Sequence, residues 1–251
     1  MSASIWTQCG ARSNLRRLRA TAWRVVEAQH LVSTRRLVDS VDEQAVLEDL
    51  LESSKPKLEA APRLHYLLRT PFRYPPLRHG SRFSTRELPS LWYGSVRPTT
   101  AFAETAYYRL LFLEGTRAKL EPLTAELSLF AAKISTSRGV DLCREPFDRH
   151  VERLASPNDY GATQQLGREM REDGVDAFRY PSARDRPAGV NVGLFNPSAF
   201  ATARPERMES WHSHATREGV EFTRRDPLQP KQLRYERERF LVDGELPSGP
   251  P

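Results

Sequence analysis

Between about His65 and Arg225 the chain alternates short apolar runs with segments of helical period, and this alternation restricts the fold more than any other feature. LHYLLRTPFRY (64–74) reads as an extended segment, interrupted by Pro71 and closed by Pro75 and Pro76. SLWYGS (90–95) reads as an aromatic strand followed by a Gly-Ser turn. Thr99 or Thr100 then offers an N-cap to AFAETAYYRLLFLEG (101–115), where Phe102, Ala106, Leu110 and Leu113 keep helical spacing. That start places Glu104 in or near the first turn, where the helix dipole stabilises a carboxylate. SPND (156–159), with Pro157 at or near the first helical position, caps a helix over ATQQLGREMRED (162–173), and Gly174 ends it. VDAFRYPS (175–182) and VNVGLF (190–195) follow as strands, the second closed by a turn at Asn196-Pro197. Strands mixed with helices in this order predict an α+β domain over residues 65–225.

The flanks read differently. Residues 1–20 are polar and arginine-rich and are expected to be poorly ordered, with a helix beginning near Thr21. Residues 21–64 are expected to form an N-terminal helical unit. Within it Ser40 and Glu43 make a capping box, Val46, Leu47, Leu50 and Leu51 form an apolar stripe, and Lys55-Pro56 is a stop. Residues 226–251 are a charged tail ending in Pro and Gly, expected to be disordered at least beyond Asp243.

Composition excludes several classes. No run among the 251 residues approaches the apolar length of a membrane span, and no apolar core follows the N-terminal arginines as in a secretory signal, so a cytoplasmic location is expected. Cys9 and Cys143 make at most one bridge, and two free thiols are the expectation. The net charge of +6 invites nucleic acid as a partner, but arginine is spread along the chain beside acids, as in YERERF, and no nucleic-acid-binding signature accompanies it. His212 and His214 lack the third and fourth ligands of a metal site, so no metal is expected. Self-association stays open.

Four pieces in fixed order carry a resemblance: GSRFS (80–84), LWYGS with TTAFAE (91–104), DAFRYPSAR (176–184) and GVNVGLFNP (189–197). Together they resemble the RES domain, the toxin component of RES–Xre toxin–antitoxin pairs. WRVVEAQHLVSTRRLVDS (23–40) and the stretch from SSKPKLEA to HYLLRTPFRYPP (53–76) are similar to a longer subfamily, so the resemblance spans roughly residues 22–215. It implies a fold similar to ADP-ribosyltransferase toxins, with antiparallel strands enclosing an NAD cleft and flanking helices. It implies a protein that consumes NAD as substrate, with no bound prosthetic group, restrained by an Xre-type antitoxin that blocks the cleft.

The residue types suit that chemistry. Cleaving the nicotinamide–ribose bond passes through an oxocarbenium-like state, which needs a held diphosphate, a stacked ring and a negative charge beside the sugar. Arg82, Tyr93 and Glu104, at intervals of eleven residues, offer these three. Arg82 presents a bidentate fork to phosphate, with Gly80 allowing close backbone approach. Tyr93 offers a stacking face. By resemblance, Glu104 bonds the nicotinamide ribose and stabilises the cation, or orients the nucleophile. Arg73 is a second candidate contact to phosphate or ribose, Ser182 supplies a hydroxyl, and Asn191 lines the same cleft. Three functions are compatible with this set: an NAD-degrading toxin using water or inorganic phosphate, an ADP-ribosyltransferase acting on a protein, and a non-catalytic binding module.

Overall fold

The computed structural model describes residues 3–28, 40, 42–43, 46–47, 50, 63–74, 79–118 and 122–248. Its frame is a mixed sheet in which two long strands, β1 (Arg16–Glu27) and β3 (Leu123–Asp141), pair antiparallel from Glu27↔Leu127 to Arg16↔Gly139. β2 (Trp92–Ser95), β4 (Ala177–Pro181) and β5 (Val190–Leu194) complete a ring through the pairings β1–β2, β2–β5, β5–β4, β4–β3 and β3–β1. From the other end of β3 the sheet continues through β6 (Arg207–Ala215), β7 (Gly219–Arg224) and β8 (Gln232–Glu236). The class is α+β, as expected. The expected all-antiparallel arrangement has one exception: β4 runs parallel to the end of β3, from Gly139↔Ala177 to Asp141↔Arg179. A parallel neighbour needs a crossover rather than a hairpin, and α4 (Val151–Leu154) and α5 (Gly161–Glu172) lie in that connection.

The central helix, α3 (Pro98–Gly115), begins with Pro at its first position, where a missing N–H costs nothing. Phe102, Ala103, Ala106, Tyr107, Leu110 and Leu113 are all buried. Phe102 packs its ring 4.6 Å from Trp211 of β6 and 4.7 Å from Phe222 of β7. The predicted cap at Thr99 or Thr100 is displaced: the helix starts at Pro98, and the Thr100 hydroxyl instead donates to Asp185 Oδ2 at 2.7 Å. Glu104 therefore lies beyond the first turn, and the dipole does not account for it. Gly174, at φ +72°, ends α5, with the Val175 N–H closing back on the Met170 carbonyl.

Several expectations for the flanks are corrected. The helix expected near Thr21 is strand β1, which pairs antiparallel with β3 from Glu27 to Arg16, with one register shift between Arg16 and Leu18. Residues expected to be poorly ordered include α1 (Ile5–Gln8), which is capped by Ser4 and buries Ile5 and Trp6; Trp6 stacks on Phe147 and donates to Asp173 Oδ2 at 2.6 Å. The segment around Pro71 is a short helix, α2 (Tyr66–Arg73), not extended, since Leu67 and Leu68 bury against the β1–β2–β5 core and His65 caps Leu67 N–H. The capping box forms, with Ser40 and Glu43 exchanging both backbone-to-side-chain bonds. Of the stripe that follows it, Val46 and Leu50 are exposed, while Leu51 and the stop at Lys55-Pro56 lie outside the described residues. The tail beyond Asp243 packs as far as residue 248: Leu246 is buried, and the Tyr107 hydroxyl donates to the Pro247 carbonyl. Among the described residues no helix is long and apolar enough to cross a membrane, and Cys9 and Cys143 are free thiols.

Candidate active site

A cavity of about 280 Å³ opens where the second turn of α3 faces β1, β2, β4 and β5. Glu104 projects into it. Its Oε1 accepts from the Ser182 hydroxyl at 2.7 Å and from Asn191 Nδ2 at 2.6 Å, while Oε2 has no hydrogen-bond partner among the described residues. Both donors are buried and held in turn. Ser182 Oγ accepts the backbone N–H groups of Arg184 and Asp185 at 3.1 and 3.0 Å, which leaves its single proton for Glu104. The Asn191 amide is oriented by the Ser95 hydroxyl, which donates to Oδ1 at 2.7 Å and so turns the NH₂ toward the carboxylate.

Tyr93, on β2, lines the cavity with its ring, but its hydroxyl is occupied: it bonds Ser81 Oγ at 2.9 Å and accepts the Phe83 N–H at 3.1 Å. Burial pushes this phenol up to about 12. The bonds anchor the 80–84 turn, in which Ser81 and Ser84 pair and Gly80 adopts φ +73°. A Cβ at Gly80 would run into the Ser84 carbonyl oxygen, so the glycine serves the turn itself. That turn presents Arg82, whose guanidinium lies 4.4 Å from the Tyr160 ring centre and donates to the Ser156 carbonyl at 2.7 Å.

Two further arginines line the cavity and were not singled out from sequence. Arg184 lies 3.5 Å from the Tyr107 ring centre and donates to the Pro157 carbonyl at 2.9 Å. Arg24, on β1, donates to the Tyr93 carbonyl at 2.8 Å; desolvation pushes it down to about 10, which leaves it charged at neutral pH. All three arginines are positioned by carbonyls and rings, with no carboxylate paired to them among the described residues. Tyr180 and the exposed Tyr108 complete the aromatic wall.

Of the six residues expected from sequence, the fold brings five to this cavity or its carboxylate: Arg82, Tyr93, Glu104, Ser182 and Asn191. Arg73 is not among the residues lining it and sits in the last turn of α2. The RES domain family model matches residues 57–215, well over half of the chain. This chain belongs to the RES domain family. No curated protein matches it. The RES match includes Glu104, Ser182 and Asn191, whereas Arg24 enters from β1, N-terminal to the matched stretch. Arg184 carried a signal in DAFRYPSAR; Arg24 carried none beyond its place in WRVV, because only the pairing of β1 with β2 at Trp23↔Ser95 brings it to the site.

Proposed function

We propose that the protein cleaves the nicotinamide–ribose bond of NAD, with water or inorganic phosphate as acceptor, and acts as the toxin of a toxin–antitoxin pair. One observation carries this reading: Glu104 is held at one oxygen by two neutral donors while the other is left unpaired in a cavity walled by tyrosines and arginines. Because Ser182 and Asn191 are uncharged, they orient the carboxylate without neutralising it, so its charge is available to a ribose that turns cationic as nicotinamide departs with the bonding electron pair. Water or phosphate then adds to the anomeric carbon, and with water a proton is released. The rings of Tyr93 and Tyr180 offer stacking faces to the pyridinium, and Arg24, Arg82 and Arg184 attract the diphosphate. Membership of the RES family supports an NAD-acting enzyme.

An NAD-consuming protein in the cytoplasm requires a restraint, and the cavity mouth offers a surface for an Xre-type antitoxin. Exposed Tyr108 and Phe112 flank an adjoining apolar groove of about 430 Å³ that shares Val25, Thr105 and Tyr108 with the cavity. The test is chromatography of nicotinamide and ADP-ribose products after incubation with NAD, with and without phosphate. Release by the wild type, and its loss in Glu104→Gln, is expected. Equal release by both would overturn the role of Glu104, and no release by antitoxin-free wild type would overturn the reading.

A further inference from the structure

A second pocket, separate from the cavity, is built almost entirely of arginine. Arg16, Arg17 and Arg19 of β1, Arg144 after β3 and Arg179 of β4 line a cleft of about 140 Å³ whose one acidic residue is Asp141. Neighbouring residues of a strand face opposite sides, and β4 divides the two pockets: Tyr180 lines the cavity while Arg179 lines the cleft.

The fold constructs this cluster rather than leaving it to chance on a basic surface. The β1–β3 register shifts between Arg16 and Leu18, an irregularity that redirects side chains and lets consecutive arginines reach one cleft. Gly139 permits it, since a Cβ there would overlap the Leu18 side chain. Arg179 is fixed by donating to the Arg19 carbonyl at 2.7 Å, and its Nε is buried with no partner. Asp141, itself buried, sits 3.4 Å from Arg144 and 3.8 Å from Arg179. The side chains of Arg17 and Arg19 have no hydrogen bond or ion pair among the described residues. Five guanidinium groups against one carboxylate repel one another unless an anion joins them. Planar forks with several donors match the oxygens of phosphate, and the volume admits one such group with little besides.

We infer that this cleft binds the phosphate group of a small anion, either inorganic phosphate or a compact phosphomonoester, at a site distinct from the Glu104 cavity. The test is calorimetric titration of the full chain with orthophosphate, pyrophosphate and AMP at ionic strength fixed by chloride, comparing the wild type with the double variant Arg17→Ser/Arg19→Ser. Those side chains are exposed and make no internal bond, so the variant is expected to keep the wild-type melting temperature and NAD cleavage within twofold. Saturable binding to the wild type that weakens by about tenfold or more in the variant is expected, the scale set by losing charge-assisted hydrogen bonds. Tighter binding of AMP than orthophosphate assigns the phosphomonoester, and the reverse the free ion; both fit the proposal. Unchanged affinity in the variant, or no binding of these anions to the wild type, overturns it. A 20-nucleotide single strand that binds through the same arginines when pyrophosphate does not would also overturn it, in favour of a nucleic-acid surface.

Discussion

The two pockets on either side of β4 each combine arginines with one carboxylate, yet they distribute their bonds in opposite ways. Glu104 accepts from a hydroxyl and an amide, and the arginines around it are held by carbonyls and aromatic rings. Asp141 has two of the cleft's arginines as its neighbours. The cavity thus keeps a negative charge without a salt bridge, whereas the cleft uses its negative charge to bind guanidinium groups and still has arginines in excess. A residue's type therefore says less about its role than the charge of its partners: neutral donors preserve a carboxylate's field, and cationic ones cancel it.

The sharpest way to break this comparison is Glu104→Gln. The amide oxygen can still accept from Ser182 and Asn191, so folding is retained while NAD cleavage falls roughly 10²–10³-fold, read from nicotinamide release. Asn191→Ala is smaller and different in kind, since Ser182 still holds Oε1 but the Ser95 hydroxyl loses its acceptor. Turnover should fall by about tenfold, with about 1–3 kcal/mol lost from stability; thermal melting alongside kinetics separates the two effects. In the cleft, Asp141→Asn should act in the opposite sense: orthophosphate binding tightens about two- to fivefold, the scale of a screened ion pair, and NAD cleavage is unchanged. An Asp141→Asn variant that weakened anion binding would end the analogy.

Alkaline pH sharpens the contrast with the smallest effect. Four tyrosines line the cavity and none lines the cleft. Burial pushes Tyr93 up to about 12 and Tyr180 well above its ordinary value, whereas an unfolded tyrosine titrates near 10. Between these values the unfolded chain has released protons that the native state keeps. Stability is therefore fully present below pH ~10 and falls as the pH rises toward 12. Melting temperature should drop by a few degrees between pH 9 and 11, and a rise over that interval would contradict the burial of these phenols.

The candidate site was more legible in the sequence than the sheet that supports it. VDAFRYPS and VNVGLF are the strands their patterns suggest, SLWYGS is a strand whose Gly94 and Ser95 continue β2 beside β5 where a turn was expected, and Gly174 stops its helix. Glu104, Ser182 and Asn191 could be singled out, but not their mutual bonds. β3 escaped notice because LTAELSLFAAKISTSRGVD has no clean period of two: it pairs with β1 along one edge and with β6 and β4 along the other, and much of it is buried on both faces. Trp6 and Leu246, in flanks that read as disordered, are anchored by distant partners, which a composition argument does not see.

The sequence by itself determined the α+β class, the body of α3 and the chemistry offered by Arg82, Tyr93 and Glu104. Each follows from steric and hydrogen-bonding preferences that operate within a few residues. Only the tertiary structure decided that Ser182 and Asn191 hold the same carboxylate oxygen, that Arg24 enters the cavity, and that five arginines meet behind β4. Those outcomes depend on pairings such as Arg16↔Gly139 and Tyr180↔Asn191. A backbone register between distant segments is chosen by the burial of whole faces, and no local pattern encodes it.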